Sequence, residues 1–270
     1  MAILIQIALL SVLASLLVLA VRFLVMPGID KSSKVLGLGS KARGKLLGYV
    51  TSAPEWVIVV SSAFMGVYDA GFWNIASSNI INWLLFLAAV MVSRQSIDLK
   101  RKATIDEIAF GIFSVALPLV LYKLEIRSSA LLAVCLLLVF VGYKIIDYRL
   151  NPNVSASEGT NGAKPNLLAA IASIVGGMLV MLVAGYQIGC VAENLIRELG
   201  VPAWMVGWIL GLISSIPEMS GFFEIFRNYK QAGSLKGLDD TQEALDALVE
   251  SNMCNLCVVL PFGILIVALL

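Results

Sequence analysis

The chain has 270 residues, of which 59% are hydrophobic and only 14% are charged, and its formal net charge is +1. A soluble domain carries about 25% charged residues, so a chain this apolar needs lipid around much of its surface. The near-neutral charge excludes a nucleic-acid binder, which must neutralise phosphates. The absence of histidine excludes imidazole-based catalysis and imidazole-ligated zinc. The composition therefore indicates an integral membrane protein that is not a soluble enzyme.

Eight apolar segments approach or exceed the length of about 20 residues that a membrane-spanning helix needs. They cover approximately 3–26, 46–66, 72–93, 105–122, 130–146, 167–190, 204–226 and 244–265. These segments predict an all-α polytopic membrane protein with eight transmembrane helices. No basic residue precedes Arg22, whereas a signal sequence places positive charge before its apolar core. We therefore expect the first segment to be a retained helix.

The basic residues predict the orientation of these helices. If the N-terminus lies outside, 16 of the 19 Lys and Arg residues fall in cytoplasmic connections. The three on the outer side are Lys123, Arg127 and Arg197. Because Lys and Arg concentrate on the cytoplasmic side of membrane proteins, this bias predicts an outside N-terminus in the plasma (inner) membrane.

Two polar stretches flank the predicted helices. Lys41, Arg43 and Lys45 open the second helix, and we expect them to anchor it at the cytoplasmic headgroups. The connection 227–243 ends with three acidic residues: Asp239, Asp240 and Glu243. Because these acids lack the spacing of an EF-hand calcium loop, we expect a solvated loop.

The sequence contains an internal repeat. Residues 36–55 (LGLGSKARGKLLGYVTSAPE) and 199–218 (LGVPAWMVGWILGLISSIPE) share eight identities in twenty at a constant offset of 163. A second pair of segments follows, Ser-Asn-Ile-Ile-Asn at 78–82 and Ser-Asn-Met-Cys-Asn at 251–255. The two copies lie five predicted helices apart. Since five is odd, they cross the membrane in opposite directions.

An inverted repeat is typical of secondary transporters, whose substrate site lies at the membrane midplane between the repeats. Channels can also contain inverted repeats, so the pattern favours a transporter without excluding a channel. The helix order predicts a first repeat at 1–146, a cytoplasmic linker at 147–166 and an incomplete second repeat at 167–270.

Each repeat places two hydroxyl residues, a proline and a glutamate inside an apolar helix, at 51–55 and 214–218. Proline lacks a backbone donor and frees the carbonyl four residues earlier, and the hydroxyls share the face of the glutamate. The S-N-x-x-N segments add Ser and Asn four residues apart. Clustered oxygens of this kind suit hard cations such as Ca²⁺, and intramembrane acids are functional by default. The alternative is that each motif is only a proline kink beside a protonated structural glutamate. The occurrence of the motif in two inverted copies disfavours this alternative.

These motifs, TSAPE and SSIPE each followed by S-N-x-x-N, resemble the two α-repeats of the sodium/calcium exchanger family of cation/Ca²⁺ antiporters. The resemblance covers about 36–92 and 199–265, and it implies a ten-helix, five-plus-five fold with cation sites among helices 2, 3, 7 and 8. The ligands implied by motif position are Thr51, Ser52, Glu55, Ser78 and Asn82 from the first repeat and Ser214, Ser215, Glu218, Ser251 and Asn255 from the second.

The resemblance also implies a function. A chain of this family exports Ca²⁺ in exchange for Na⁺ by alternating access in the lipid bilayer, with no cofactor besides the transported ions and no bond made or broken. A Ca²⁺/H⁺ exchanger is the alternative within this class. Outside it, a cation channel or a non-transporting membrane protein remains open.

This chain departs from the family pattern in three places. Asn255 stands where many members have Asp, so the site has two certain carboxylates. Glu250 replaces the usual Gly before Ser251, and it is either a third site acid or a carboxylate for packing or the cytoplasmic entrance. The family pattern continues through two more helices, so a chain of 270 residues is either a fragment or a shortened member.

Overall fold

The computed structural model describes residues 2–101, 104–126, 129–150, 166–198, 200–233 and 238–270. Within these ranges the chain forms helices joined by short connections, with no β-strand. Eight of the helices are long and apolar enough to cross a membrane. The predicted all-α fold and its eight transmembrane helices are therefore confirmed.

Four helices run without interruption and four contain a break or a π-helical turn. In chain order they are α1 (Ala2–Ala20, the π-helical turn Val21–Val25 and Met26–Leu36), α2 (Ser40–Thr51 and Ala53–Phe64), α3 (Tyr68–Val92), α4 (Ile105–Lys123), α5 (Ala130–Leu150), α6 (Leu167–Arg197), α7 (Ala203–Ser214 and Ile216–Gln231) and α8 (Asp239–Cys254, the π-helical turn Asn255–Val259 and Leu260–Leu269).

The connection between α7 and α8 is shorter than the sequence predicts. Helix α7 continues to Gln231 and α8 already begins at Asp239, so the expected solvated loop at 227–243 is wrong at both ends. Asp240 and Glu243 are buried. Glu243 tolerates burial because Arg43 of α2 lies 3.4 Å from its carboxylate and the Tyr229 hydroxyl donates to it at 3.0 Å.

The basic residues at the start of α2 face protein rather than headgroups, which corrects a second expectation. Lys41 pairs with Glu107 of α4 at 3.1 Å, Lys45 pairs with Asp147 of α5, and Arg43 pairs with Glu243 of α8. All three acids are buried. We call these six residues the α2 ion-pair layer. A buried carboxylate is costly unless it is paired, so the layer joins α2 to three other helices.

The linker between the repeats is also shorter than expected. Helix α5 continues through residues 147–150, and α6 begins directly after Asn166. The Asn166 side chain caps α6 by accepting hydrogen bonds from the backbone N–H groups of Leu168 and Ala169 at 3.0 and 3.3 Å. Such caps satisfy N–H groups that the first turn leaves unpaired. The rest of the predicted linker, 151–165, lies outside the described residues.

Two helix pairs pack backbone against backbone. A Cβ atom at Gly48 of α2 would lie 2.5 Å from the carbonyl oxygen of Ala247 in α8, and one at Gly211 of α7 would lie 3.0 Å from that of Asn74 in α3. Another glycine with the same close approach lies one turn earlier in each helix: Gly44 and Gly207. Only glycine permits these distances. We call the two contacts the α2–α8 seam and the α3–α7 seam.

Helices α3 and α8 cross at the centre, where four asparagines form reciprocal hydrogen bonds. The side-chain amide of Asn79 donates to the backbone carbonyl of Asn252 at 3.2 Å, and the side-chain amide of Asn252 donates to the backbone carbonyl of Asn79 at 3.0 Å. Likewise the Asn82 amide donates to Asn252 Oδ1 at 3.0 Å, and the Asn255 amide reaches Asn79 Oδ1 at 3.5 Å. Each bond has a counterpart with the two motifs exchanged. The inverted-repeat architecture is therefore visible at atomic scale.

Candidate cation site

The breaks in α2 and α7 place one glutamate each at the centre of the protein. Proline cannot donate a backbone hydrogen bond, and in both helices the break falls two residues before it, at Ser52 and Ser215. Glu55 and Glu218 therefore lie in the first turn of the second helical segment. Unpaired N–H groups give this end of a helix a partial positive charge, which favours a carboxylate. Both glutamates are buried.

Hydroxyl groups from two other helices, α2 and α8, surround Glu218. The Ser251 hydroxyl of α8 donates to Glu218 Oε1 at 2.8 Å. Ser52 Oγ of α2 lies 3.1 Å from Ser251 Oγ, and Thr51 lies beside the Glu218 carboxyl. The structure thus brings together four predicted site residues from both repeats.

Glu55 has related surroundings with the repeats exchanged. Ser214 of α7 lies beside its carboxyl, as Thr51 lies beside that of Glu218, and the two carboxyls are close enough to interact electrostatically. Ser214 also accepts a hydrogen bond from the Asn74 amide at 3.0 Å. The two acids and their neighbouring hydroxyls therefore form one cluster.

Several oxygens in and around this cluster are buried and have no hydrogen-bond partner among the described residues. They are Glu55 Oε1 and Oε2, Glu218 Oε2, Ser215 Oγ, Asn74 Oδ1, Asn82 Oδ1 and Asn255 Oδ1. Buried polar atoms in proteins almost always have partners. Carboxylate, hydroxyl and amide oxygens are also the ligands that Ca²⁺ and similar hard cations take from proteins. The oxygens present thus fit a cation as the missing partner.

The remaining predicted site residues are buried as well, with differing contacts. The Ser78 hydroxyl donates to the carbonyl of Ile75 at 3.1 Å, within its own helix. The amide nitrogens of Asn82 and Asn255 bond to the facing asparagines, while their Oδ1 atoms have no partner among the described residues. Among the described residues, no hydrogen bond links Ser78 or Ser215 to Glu55 or Glu218.

Sequence reasoning missed three asparagines near the site. Asn79 and Asn252 join α3 to α8, and Asn74 contacts Ser214. Asn74 could have been found, because it precedes Ser78 by four residues and therefore shares its helix face. Asn79 and Asn252 belong to the repeated S-N-x-x-N segments, but their bonds to each other depend on the crossing of two distant helices, which these segments do not reveal.

Glu250 has a partner of its own. Its carboxylate accepts from Lys144 at 2.7 Å and from the Tyr143 hydroxyl at 3.2 Å, both in α5. Within the described ranges, no third acidic side chain joins Glu55 and Glu218 in a cluster able to hold a metal ion. Glu250 is thus paired with a cation of the protein itself.

A family model described as sodium/calcium exchanger protein matches residues 5–148, more than half of the chain. The chain belongs to the sodium/calcium exchanger family. The matched region contains the whole first motif and the first of the two seam glycine pairs. No curated protein sequence matches the chain.

Nearly the whole chain superposes on solved structures of a sodium-calcium exchanger. The sodium-calcium exchanger NCX_Mj soaked with 10 mM Na⁺ and zero Ca²⁺ superposes with a TM-score of 0.63 at 17% identity, over 98% of this chain and 84% of that one. The same exchanger soaked with 10 mM Na⁺ and 10 mM Sr²⁺ gives 0.59 at 17% identity, over 97% and 82%. Identity this low supports the fold alone. The inverted-repeat transporter fold predicted for this exchanger is confirmed.

Proposed function

We propose that this exchanger moves Ca²⁺ outward across the plasma membrane in exchange for Na⁺ by alternating access. Glu55 and Glu218 supply the charged ligands. Neutral oxygens come from Thr51, Ser52, Ser78, Asn82, Ser214, Ser215, Ser251 and Asn255. The observation that carries this proposal is the pair of buried carboxyls from opposite repeats, with oxygens that lack partners among the described residues.

The charge of this site supports an electroneutral exchange. Two ionised carboxylates balance one Ca²⁺ or two Na⁺. The family position that often holds a third acid is Asn255, and Glu250 is paired with Lys144. A cycle that exchanges one Ca²⁺ for two monovalent ions therefore moves no net charge.

The same pair of carboxyls favours one alternative, a Ca²⁺/H⁺ exchanger. The charge of Glu218 acts on the Glu55 carboxyl, and neither glutamate forms an ion pair with Lys or Arg among the described residues. Two adjacent carboxylates without a cation repel each other, and two protons neutralise them as well as two Na⁺ do. The counter-ion is therefore the quantity that the first experiment must determine.

The decisive experiment measures uptake of radioactive Ca²⁺ into vesicles containing the purified protein. Vesicles loaded with Na⁺ and placed in Na⁺-free buffer should accumulate Ca²⁺, while vesicles with equal Na⁺ on both sides should not. Uptake driven only by an acidic interior would identify the H⁺ exchanger. Uptake without any counter-ion would indicate a channel, and no uptake under any gradient would overturn the proposal.

The membrane orientation belongs to the same proposal. The exported ion must reach the site from the cytoplasm, and the distribution of Lys and Arg puts the start of α2, the end of α5 and the start of α8 on that side. The N-terminus then lies outside. We assign residues 1–146 and 167–270 to the two inverted repeats, joined by a cytoplasmic connection.

A further inference from the structure

Asn74 lies on the face of α3 that carries the proposed ligands. It precedes Ser78 by four residues, and Ser78 precedes Asn82 by four. Residues four apart on an α-helix stack above one another on one face. All three side chains are fully buried. Asn74 therefore continues the row of ligands by one helical turn.

The contacts of Asn74 point into the site. Its amide nitrogen donates to Ser214 Oγ at 3.0 Å, and its carbonyl oxygen Oδ1 is buried without a hydrogen-bond partner. The α3–α7 seam holds it in place, because a Cβ at Gly211 would lie 3.0 Å from its backbone oxygen. A buried amide oxygen left without a donor is rare in a folded protein, and a cation is a suitable partner for it.

Its hydrogen bond to Ser214 controls how that hydroxyl can be used. A serine hydroxyl has one hydrogen and two lone pairs. Since one lone pair accepts from Asn74, the hydrogen and the second lone pair remain for the Glu55 carboxyl beside it and for a bound ion. The contact of Ser214 with the Gly211 carbonyl is long, at 3.5 Å.

The other half of the site lacks this arrangement. The second repeat has Ala247 at the corresponding position, four residues before Ser251. Thr51, the counterpart of Ser214, donates to the carbonyl of Leu47 in its own helix at 3.0 Å. The Glu55 half of the site thus contains an amide that the Glu218 half does not.

We infer that Asn74 is a further residue of the cation site, which orients the Ser214 hydroxyl and offers Oδ1 as an additional neutral ligand on the Glu55 side. The inference rests on the proposed function, because the ion concerned is the transported Ca²⁺. The additional oxygen of Asn74 gives the Glu55 side of the site a higher affinity for a hard cation than the Glu218 side.

The test compares Asn74→Ala with Ser77→Ala in the full chain. Ser77 is a buried neighbour whose hydroxyl contacts the Trp73, Asn74 and Gly207 carbonyls in the α3–α7 seam. Asn74→Ala should raise the Kd for Ca²⁺, measured by equilibrium binding to purified protein, about tenfold, the loss expected for one ligand oxygen. Ser77→Ala should lower thermal stability and leave the Kd unchanged.

Asn74→Asp separates the two parts of the role. Aspartate keeps the oxygen but cannot donate to Ser214 when ionised, and it adds a third acid. It should restore Ca²⁺ binding above that of Asn74→Ala and make that binding fall more steeply as the pH is lowered. A Kd in Asn74→Ala equal to that of the native protein, with the protein folded, would overturn the inference. Failure of the native protein to bind or transport Ca²⁺ would instead overturn the proposed function.

Discussion

At the scale of single residues, the two glutamates carry the greatest weight. Glu55→Gln and Glu218→Gln each keep the shape of the side chain and remove one of two charges, so either should abolish Ca²⁺ flux while the protein still inserts. Alanine at Thr51, Ser52, Ser214 or Ser215 removes a neutral oxygen and should raise the KM for Ca²⁺ without abolishing transport. Uptake into vesicles at matched protein amounts measures both effects. Normal transport in both glutamine variants would place the site elsewhere.

The neutral side chain of Asn255 determines the second expectation. Native transport should produce little or no current, because the proposed cycle exchanges one Ca²⁺ for two monovalent ions at two carboxylates. Asn255→Asp adds a third acid beside the site and should introduce dependence on membrane potential, since one elementary charge is worth about 2.3 kcal/mol per 100 mV. Current recorded during Ca²⁺ flux decides between these outcomes.

Glu250→Gln serves as the comparison for that measurement. Lys144 already neutralises Glu250, so this variant should leave the current unchanged, although it should unfold more readily. A native current that Glu250→Gln removes would show that Glu250 acts as the third acid. A native current that persists in Glu250→Gln would contradict the two-carboxylate site.

Much of the candidate site could be predicted from spacing alone. Prolines three residues after a hydroxyl and serines four residues before an asparagine define helix faces without any tertiary information. The partner of Glu250 could not be predicted in this way, because Lys144 lies 106 residues away on another helix. The same holds for the α2 ion-pair layer. Burial of its acids depends on which helices meet. From the sequence alone, the same charged residues are equally compatible with a solvated surface.

At the scale of helices, the two seams are the most sensitive contacts. Gly48→Ala and Gly211→Ala each place a methyl group against a backbone carbonyl of the facing helix. The helices must then separate, and we expect lower thermal stability together with loss of transport. Gly142→Ala is the matched control, because a Cβ there meets nothing within 4 Å. Thermal unfolding in detergent should show a lower Tm for the first two variants and an unchanged or higher Tm for the third.

The α2 ion-pair layer supports a further expectation at this scale. Lys45→Ala leaves Asp147 buried without its cation, and breaking one partner of a buried pair typically costs about 3–5 kcal/mol. Replacing both residues, Lys45→Leu with Asp147→Leu, should cost less than the single change. Unfolding of the three proteins in detergent measures the difference. Equal stability of the single variant and the native protein would show that the pair contributes nothing.

Helix existence was easier to predict than helix ends. All eight spans were visible as apolar segments, but α7 and α8 extend into the polar stretch between them. A prediction from hydropathy ends a segment where charged residues begin, whereas the helix itself continues as long as its polar side chains have partners. Glu243 finds Arg43 and Tyr229, so the first turns of α8 remain helical and buried.

For the whole molecule, the orientation can be tested with single cysteines. In a variant whose four cysteines are replaced by alanine, Lys34→Cys at the end of α1 should react with an impermeant thiol reagent only after the membrane is opened. Lys123→Cys at the end of α4 should react from outside in intact cells. Both positions are exposed. The reverse pattern would place the N-terminus in the cytoplasm.

The reciprocal asparagine bonds at the crossing of α3 and α8 bear on how such a chain could arise. A two-fold contact offers the same surface twice, so a single half-length protein could form these bonds with a second copy of itself. The copies would have to insert in opposite directions, which requires a nearly balanced distribution of Lys and Arg. Once the halves are joined in one chain, each can acquire its own charge bias. The α2–α8 seam now carries ion pairs, whereas Trp73 packs edge-on against Tyr122 beside the α3–α7 seam. In one fused chain, each half therefore needs only a single direction of insertion.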